Sequence, residues 1–119
     1  MKVAVIGASD KPHRYSYLAV MLLKEKGHDV FPVHQRVKTI DQTPVYKSIQ
    51  DIEEDVDTVT LYVGASISDL ITDAIIKKRP GRIIFNPGAE NSNLEQTASA
   101  AGIETVHACT LVMLRTGQF

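Results

Sequence analysis

Residues Lys2 to Ile6 (KVAVI) form an apolar, β-branched run with little polar alternation, the pattern of a strand buried on both faces rather than of a solvent-facing edge. The run ends at Gly7. Beyond it Tyr15, Leu18, Ala19 and Leu22 recur at helical spacing, and Gly27 is placed to end that helix. Asp29 to His34 predicts a second strand and Asp57 to Val63 (DTVTLYV) a third. Between them, Gln35 to Val56 reads mostly as loop, with one helical turn near Ser48 to Ile52. In the second half Ser66 and Asp69 have the spacing of a capping box, and Ile67, Leu70, Ile71, Ala74 and Ile75 fall on one helical face. Pro80-Gly81 stops this helix, Arg82 to Asn86 predicts a fourth strand, and Pro87-Gly88 a turn. Ser92 and Glu95 repeat the capping spacing before a Leu94, Ala98, Ala101 stripe that ends at Gly102. Glu104 to Ala108 predicts the fifth strand, followed by an apolar tail, Leu111 to Leu114, expected to pack across the sheet edge or, alternatively, to form a dimer contact.

Strand and helix in alternation predict an α/β, Rossmann-like fold: a five-stranded, mostly parallel sheet with helices on both faces. The expected strand order is 3-2-1-4-5, with the weakly patterned Gln35 to Val56 segment at the outer side. Pro32 strains this order, because it would sit in a strand paired on both sides without a ladder donor. A receiver-type domain has a different strand order. It also requires an acidic cluster at the carboxyl ends of the first and third strands, where this chain has Gly7-Ala8-Ser9 and Gly64-Ala65. In the expected order the topological switch lies between the first and fourth strands, setting Gly7-Ala8-Ser9 opposite Asn86-Pro87-Gly88.

Composition narrows the class. The 119 residues, 44% hydrophobic and 23% charged, suit one globular domain spanning residues 1–119. A net charge of −1 gives no general attraction to nucleic acid or to an acidic membrane. The chain opens on a strand, without a basic head or a long apolar run, and Cys109 is its single cysteine; a reducing cytoplasm is the expected compartment. The four histidines have no metal-ligand spacing, so no metal site is expected. Glu53-Glu54-Asp55 is explained by a solvated loop.

Strand, glycine and helix in this order hold anions. Gly7 lets backbone approach a phosphate, the amides of Ala8 and Ser9 supply donors, and the helix start adds a positive dipole end. Arg14, Tyr15 and Ser16 can complete the cradle, and Lys11, His13 and Arg14 add to the basic rim that Arg36 and Lys38 form after the second strand. The loop is not a G-x-G-x-x-G dinucleotide fingerprint. After the second strand the chain reads His34-Gln35-Arg36 and then Lys38, with no acid before Asp41. NAD sites place a carboxylate there, whereas a ribose phosphate calls for arginine, so the pattern favours NADP or coenzyme A. His107 and Cys109 could in principle pair as base and nucleophile, but no acid or oxyanion donor accompanies them, and a packed, inert thiol is expected.

The segments VIGASDKPHRYSYLAV, DTVTLYV, FNPGAEN and ACTLVML, in this order and spacing, resemble the small stand-alone coenzyme A-binding proteins. These are similar in turn to the coenzyme A-binding Rossmann domain of the succinyl-CoA synthetase α subunit. The resemblance implies that Gly7, Ala8, Ser9, Arg14, Tyr15 and Ser16 hold the coenzyme's phosphates. It implies that Val33, His34 and Arg36 lie by the adenosine and its 3′-phosphate, that Tyr62, Val63 and Gly64 wall the adenine, and that Asn86, Pro87 and Gly88 border the pantetheine path. Many relatives carry Asn-Pro where this chain has His34-Gln35. The synthetase's active-site histidine lies in a second domain without counterpart in these residues, so phosphohistidine chemistry is not implied. The function expected is non-covalent binding of coenzyme A or an acyl-CoA without catalysis, as carrier, sensor or subunit, with a homodimer or a partner subunit as possible company. A small NADP-binding reductase is the alternative, although no Tyr-x-x-x-Lys pair exists in the chain; a scaffold that lost its ligand is a third reading.

Overall fold

A computed structural model describes residues 1–119. In chain order the elements are β1 (Lys2–Ile6), α1 (Tyr15–Glu25), β2 (Asp29–Val33), β3 (Thr39–Ile40), β4 (Thr43–Pro44), a 3-10 turn (Ile49–Asp51), β5 (Thr58–Leu61), α2 (Ala65–Lys78), β6 (Arg82–Phe85), α3 (Ser92–Ala100), β7 (Glu104–His107) and α4 (Thr110–Arg115). Five strands pair in the order β2-β1-β5-β6-β7, all parallel, and β3 with β4 forms a separate antiparallel hairpin. The fold is the α/β, Rossmann-like one that the alternation predicts.

Its strand order is not the expected one. Counting the five parallel strands along the chain, the order is 2-1-3-4-5 rather than 3-2-1-4-5. Thr58 to Leu61 pairs with β1, not with β2, so β2 becomes an edge. Proline explains the choice. Val5 is the register partner of Pro32, and the Pro32 carbonyl points away from β1 to accept from the Tyr46 amide at 2.9 Å. The missing N–H therefore faces the outer side, where an edge strand tolerates it. Tyr46 then covers that edge, its own carbonyl accepting from the His34 amide at 2.9 Å.

The Gln35 to Val56 segment is less loop-like than its sequence suggests. The helical turn is present, with Ser48 capping it by accepting from the Gln50 amide at 3.2 Å. The β3–β4 hairpin has no counterpart in the sequence reading, since its strands are only two residues long. Its tip, Asp41-Gln42, takes φ of 48° and 65°, a two-residue turn of the kind usually signalled by Asn-Gly.

Helices cover both sheet faces. The larger cluster joins Ala4, Ile6, Val59, Leu61, Ile83 and Phe85 to Ile75 of α2 and to Leu94 and Ala98 of α3. The smaller joins Val3 and Val5 to Val20 and Leu23 of α1 and Leu114 of α4. The apolar tail is thus a helix lying on a sheet face beside α1, not a strap across the edge. In α1 the buried face is Ser16, Ala19, Val20 and Leu23, while Tyr15 is 67% exposed. Gly27, at φ 85°, closes α1 as expected: its amide reaches the Lys24 carbonyl and the His28 amide reaches that of Leu23.

Neither capping box forms. Gly64 is the N-cap of α2, without a side-chain bond, and Asp69 accepts instead from Asn91 Nδ2 at 2.9 Å. Asn91, not Ser92, caps α3, accepting from the Leu94 amide at 3.1 Å, and Glu95 pairs with His107. Asparagine wins because one amide group caps α3 and also donates to Ser68 Oγ at 2.7 Å, tying α3 to α2. No helix is long and apolar enough to cross a membrane.

Candidate functional site

Open parallel sheets bind ligands beyond the strand carboxyl ends, where the strand order reverses. With the observed order that point lies between β1 and β5. Gly7 therefore abuts Tyr62-Val63, and the fourth parallel strand, ending at Asn86, stands one place further out. The approach is close: a Cβ on Gly7 would lie 2.8 Å from Val63 Cγ1 and 3.2 Å from the Tyr62 carbonyl carbon, and φ is +86°. Glycine is required there on both counts.

Two crevices meet over this glycine, and both are lined by Gly7 and His34. The first, of about 640 Å³, is lined by Ala8 and Ser9, by Arg14, Tyr15 and Ser16 at the start of α1, by Lys11 and His13, and by Tyr62 and Pro87. Arg14 enters α1 as an extended N-cap, no side chain caps the helix, and no acid occupies its first turn. The opening amides of α1 are therefore left for an anion. One expected donor is committed elsewhere: the Ala8 amide, like that of Gly7, donates to the Val33 carbonyl, at 3.2 and 3.1 Å respectively. These bonds pin the loop to β2 and leave Ser9 and the helix start as the donors.

The second crevice, of about 460 Å³, has an apolar floor of Ile6, Val33, Ile49, Val63 and Ile71. Ile67 and Leu70, 52% and 84% exposed, line its mouth instead of packing on the sheet as the helical stripe predicted; Ser68 and Ile75 occupy the buried face of α2. Gln35, Arg36 and Lys47 bring polar groups to the crevice. The chain's side-chain ion pairs are Lys24–Asp41 and His107–Glu95, so Lys11, Arg14, Arg36 and Lys47 carry no carboxylate partner.

His34 organises the turn between the crevices. Its Nδ1 accepts from the amides of Arg36 and Val37 at 3.0 and 3.1 Å, which puts the ring proton on Nε2. Val33, His34, Arg36 and Val63 thus line one crevice. Lys47 was not singled out in the sequence; its signal was hidden in Tyr46, whose pairing with β2 carries the next residue to the crevice wall.

Other candidates are placed differently. Tyr62 turns to the α1 and α4 face, away from the apolar crevice that Val63 lines, and Gly64 lines neither crevice. The Tyr62 hydroxyl is buried without a hydrogen-bond partner, and burial pushes its pKa up to about 12. Thr60 and Thr110 stand near it and temper the shift, but their hydroxyls bond each other at 2.7 Å. Asn86 is 2% exposed and its side chain is fully engaged. Nδ2 donates to Thr60 Oγ1 at 2.8 Å and to the Leu61 carbonyl at 2.9 Å, and Oδ1 accepts from the Thr110 amide at 2.9 Å. It locks β5, β6 and α4 together instead of facing the crevices. The Gly88 amide donates to the Glu90 carboxylate at 3.0 Å; a bond from Glu90's own amide and, after it, this one hold that carboxyl below its ordinary pKa. His107 stacks on Phe85 and bonds Glu95 at 2.9 Å, with no hydrogen bond to Cys109.

A family model described as a CoA binding domain matches residues 1–115. The ADP-forming acetate–CoA ligase of Methanocaldococcus jannaschii is 28% identical over 95 residues, which are 78% of this chain and 14% of that enzyme. The α subunit of the ADP-forming acetate–CoA ligase II of Pyrococcus furiosus is 37% identical over 62 residues, 51% of this chain and 14% of that subunit. The chain thus spans about one seventh of the curated relatives it matches. Among solved structures, the crystal structure of an uncharacterized protein superimposes with a TM-score of 0.94 at 40% identity, covering 99% of this chain and 97% of that one.

Proposed function

The chain belongs to the CoA binding domain family, and on that premise we propose that it holds coenzyme A or an acyl-CoA non-covalently, in the cytoplasm, without catalysis of its own. One observation carries the reading: two crevices of different chemistry meet at Gly7 and His34. Coenzyme A has matching halves. Its pyrophosphate suits the uncapped start of α1 with Arg14 and Lys11, and its adenosine suits the apolar crevice flanked by Arg36. Pro87 lines the phosphate crevice and would border the pantetheine arm. The roles that fit a binding domain of this size are carrier, sensor or partner subunit. The curated relatives are ligases or ligase subunits, and the match to them covers only a minor part of their length.

Calorimetric titration with coenzyme A, acetyl-CoA, NADP and NAD tests the reading. Saturable binding of the coenzyme A compounds, weakened about tenfold in Arg14→Ala by loss of one charge-assisted contact, is the expected result. Binding of NADP with no response to either coenzyme A compound would overturn it in favour of a reductase. Turnover of an acyl-CoA by the purified protein would overturn the non-catalytic part.

A further inference from the structure

We propose that Lys47 acts with Arg36 to read the ribose monophosphate of the bound nucleotide, and that Lys47 thereby separates coenzyme A from its 3′-dephospho form. This rests on the coenzyme A reading above and adds a residue and a specificity to it. Both side chains line the apolar crevice, and no aspartate or glutamate lines it with them. Neither cation is in an ion pair. The backbone that carries each of them is anchored. The Arg36 amide is fixed on His34 Nδ1, and Tyr46, just before Lys47, is bonded in both directions to Pro32 and His34 of the β2 edge.

Two cations over an apolar floor match a group with two charges. A phosphate monoester is mostly dianionic at neutral pH, its second pKa lying near about 6, whereas each phosphate of a pyrophosphate diester carries one charge. The pyrophosphate already has a cradle in the other crevice, with the helix start, Lys11 and Arg14. A nucleotide laid across Gly7 therefore brings its ribose end, not its pyrophosphate, to Arg36 and Lys47.

Calorimetry of the full chain with coenzyme A and 3′-dephospho-coenzyme A, in the unaltered protein and in Lys47→Met and Arg36→Met, tests this. The unaltered protein is expected to prefer coenzyme A by at least about tenfold, and Lys47→Met to lose about tenfold for coenzyme A with its dephospho affinity unchanged. The preference should shrink below pH of about 6 as the monoester takes up a proton. Lys47 is exposed, so thermal melting of the unliganded variant should be unchanged, and Lys47→Arg should restore the preference. Equal affinity of the unaltered protein for both nucleotides would overturn the proposal and leave the coenzyme A reading standing. Equal weakening of both nucleotides in Lys47→Met would do the same. Binding of neither nucleotide by the unaltered protein would remove the parent reading, and this proposal with it.

Discussion

Asn86→Ala should cost the fold about 3–5 kcal/mol while leaving coenzyme A affinity within about twofold. The magnitude follows from what the side chain holds. Nδ2 makes two bonds, to Thr60 Oγ1 and the Leu61 carbonyl, each a net contribution of about 1 kcal/mol. Oδ1 is the acceptor for the Thr110 amide, and truncation leaves that buried donor without a partner, a further cost of about 1–3 kcal/mol. Thr60 keeps its bond to the Thr110 hydroxyl, so no second orphan is created. Thr110→Val is the graded control: it removes the 2.7 Å hydroxyl pair but keeps the amide bond to Asn86, and should cost about 1 kcal/mol. Urea unfolding of the unliganded proteins measures both, and calorimetry at a temperature where each variant is folded measures affinity. A stability loss below about 1 kcal/mol in Asn86→Ala would refute the network account. A tenfold or greater loss of affinity in the fully folded variant would return Asn86 to the ligand.

Gly7→Ala should lose stability and affinity together. The positive φ of +86° costs a Cβ-bearing residue roughly 1–3 kcal/mol, and the 2.8 Å approach to Val63 forces further movement at the crossing of the two crevices. Unchanged urea midpoint and titration would show that the loop is not set by this approach. Tyr62→Phe should be neutral to slightly stabilising near neutral pH, because it deletes a buried hydroxyl with no partner. The same variant should blunt alkaline unfolding. The phenol's folded pKa, raised from 10.0 to about 12, favours the neutral form, so this stability is complete below pH 10 and is lost as pH rises through about 12. The loss attributable to Tyr62 is roughly 2 kcal/mol, and identical pH–stability curves for the two proteins would refute it.

Strand positions were legible because buried parallel strands read as apolar runs, as Lys2–Ile6 does. Their lateral order was not, since periodicity says which residues are buried and nothing about which strand lies beside which. Pro32 held the missing information: a proline in a strand assigned two neighbours is a sign that the assignment is wrong and that the strand is an edge. The crevice over the start of α1 was legible because Gly7, Arg14 and Ser16 are local to one strand-turn-helix unit. Lys47 was not, because it reaches the site through a backbone pairing with β2. Asn86 misled for the opposite reason. Its place after a strand is where ligand-binding residues sit, but its amide bonds inward, to Thr60, Leu61 and Thr110.

The buried bonding network and the crevice lining lie at the same end of the sheet in nearly separate sets of residues. Beneath the crevices, Asn86, Thr60 and Thr110 are buried and mutually bonded, and none of them lines either crevice. Around the crevices, Lys11, Arg14, Arg36 and Lys47 are exposed and bond no carboxylate. Unpaired exposed cations contribute little to holding a fold together. Substitution among them is therefore free to change which phosphorylated ligand binds while the framework stays intact. Gly7 and His34 are the exceptions, since each lines both crevices and also fixes backbone: Gly7 against Val63, His34 through the Arg36 and Val37 amides. A ligand that spans both crevices must cross these two residues. They are the positions at which binding and folding cannot be altered independently.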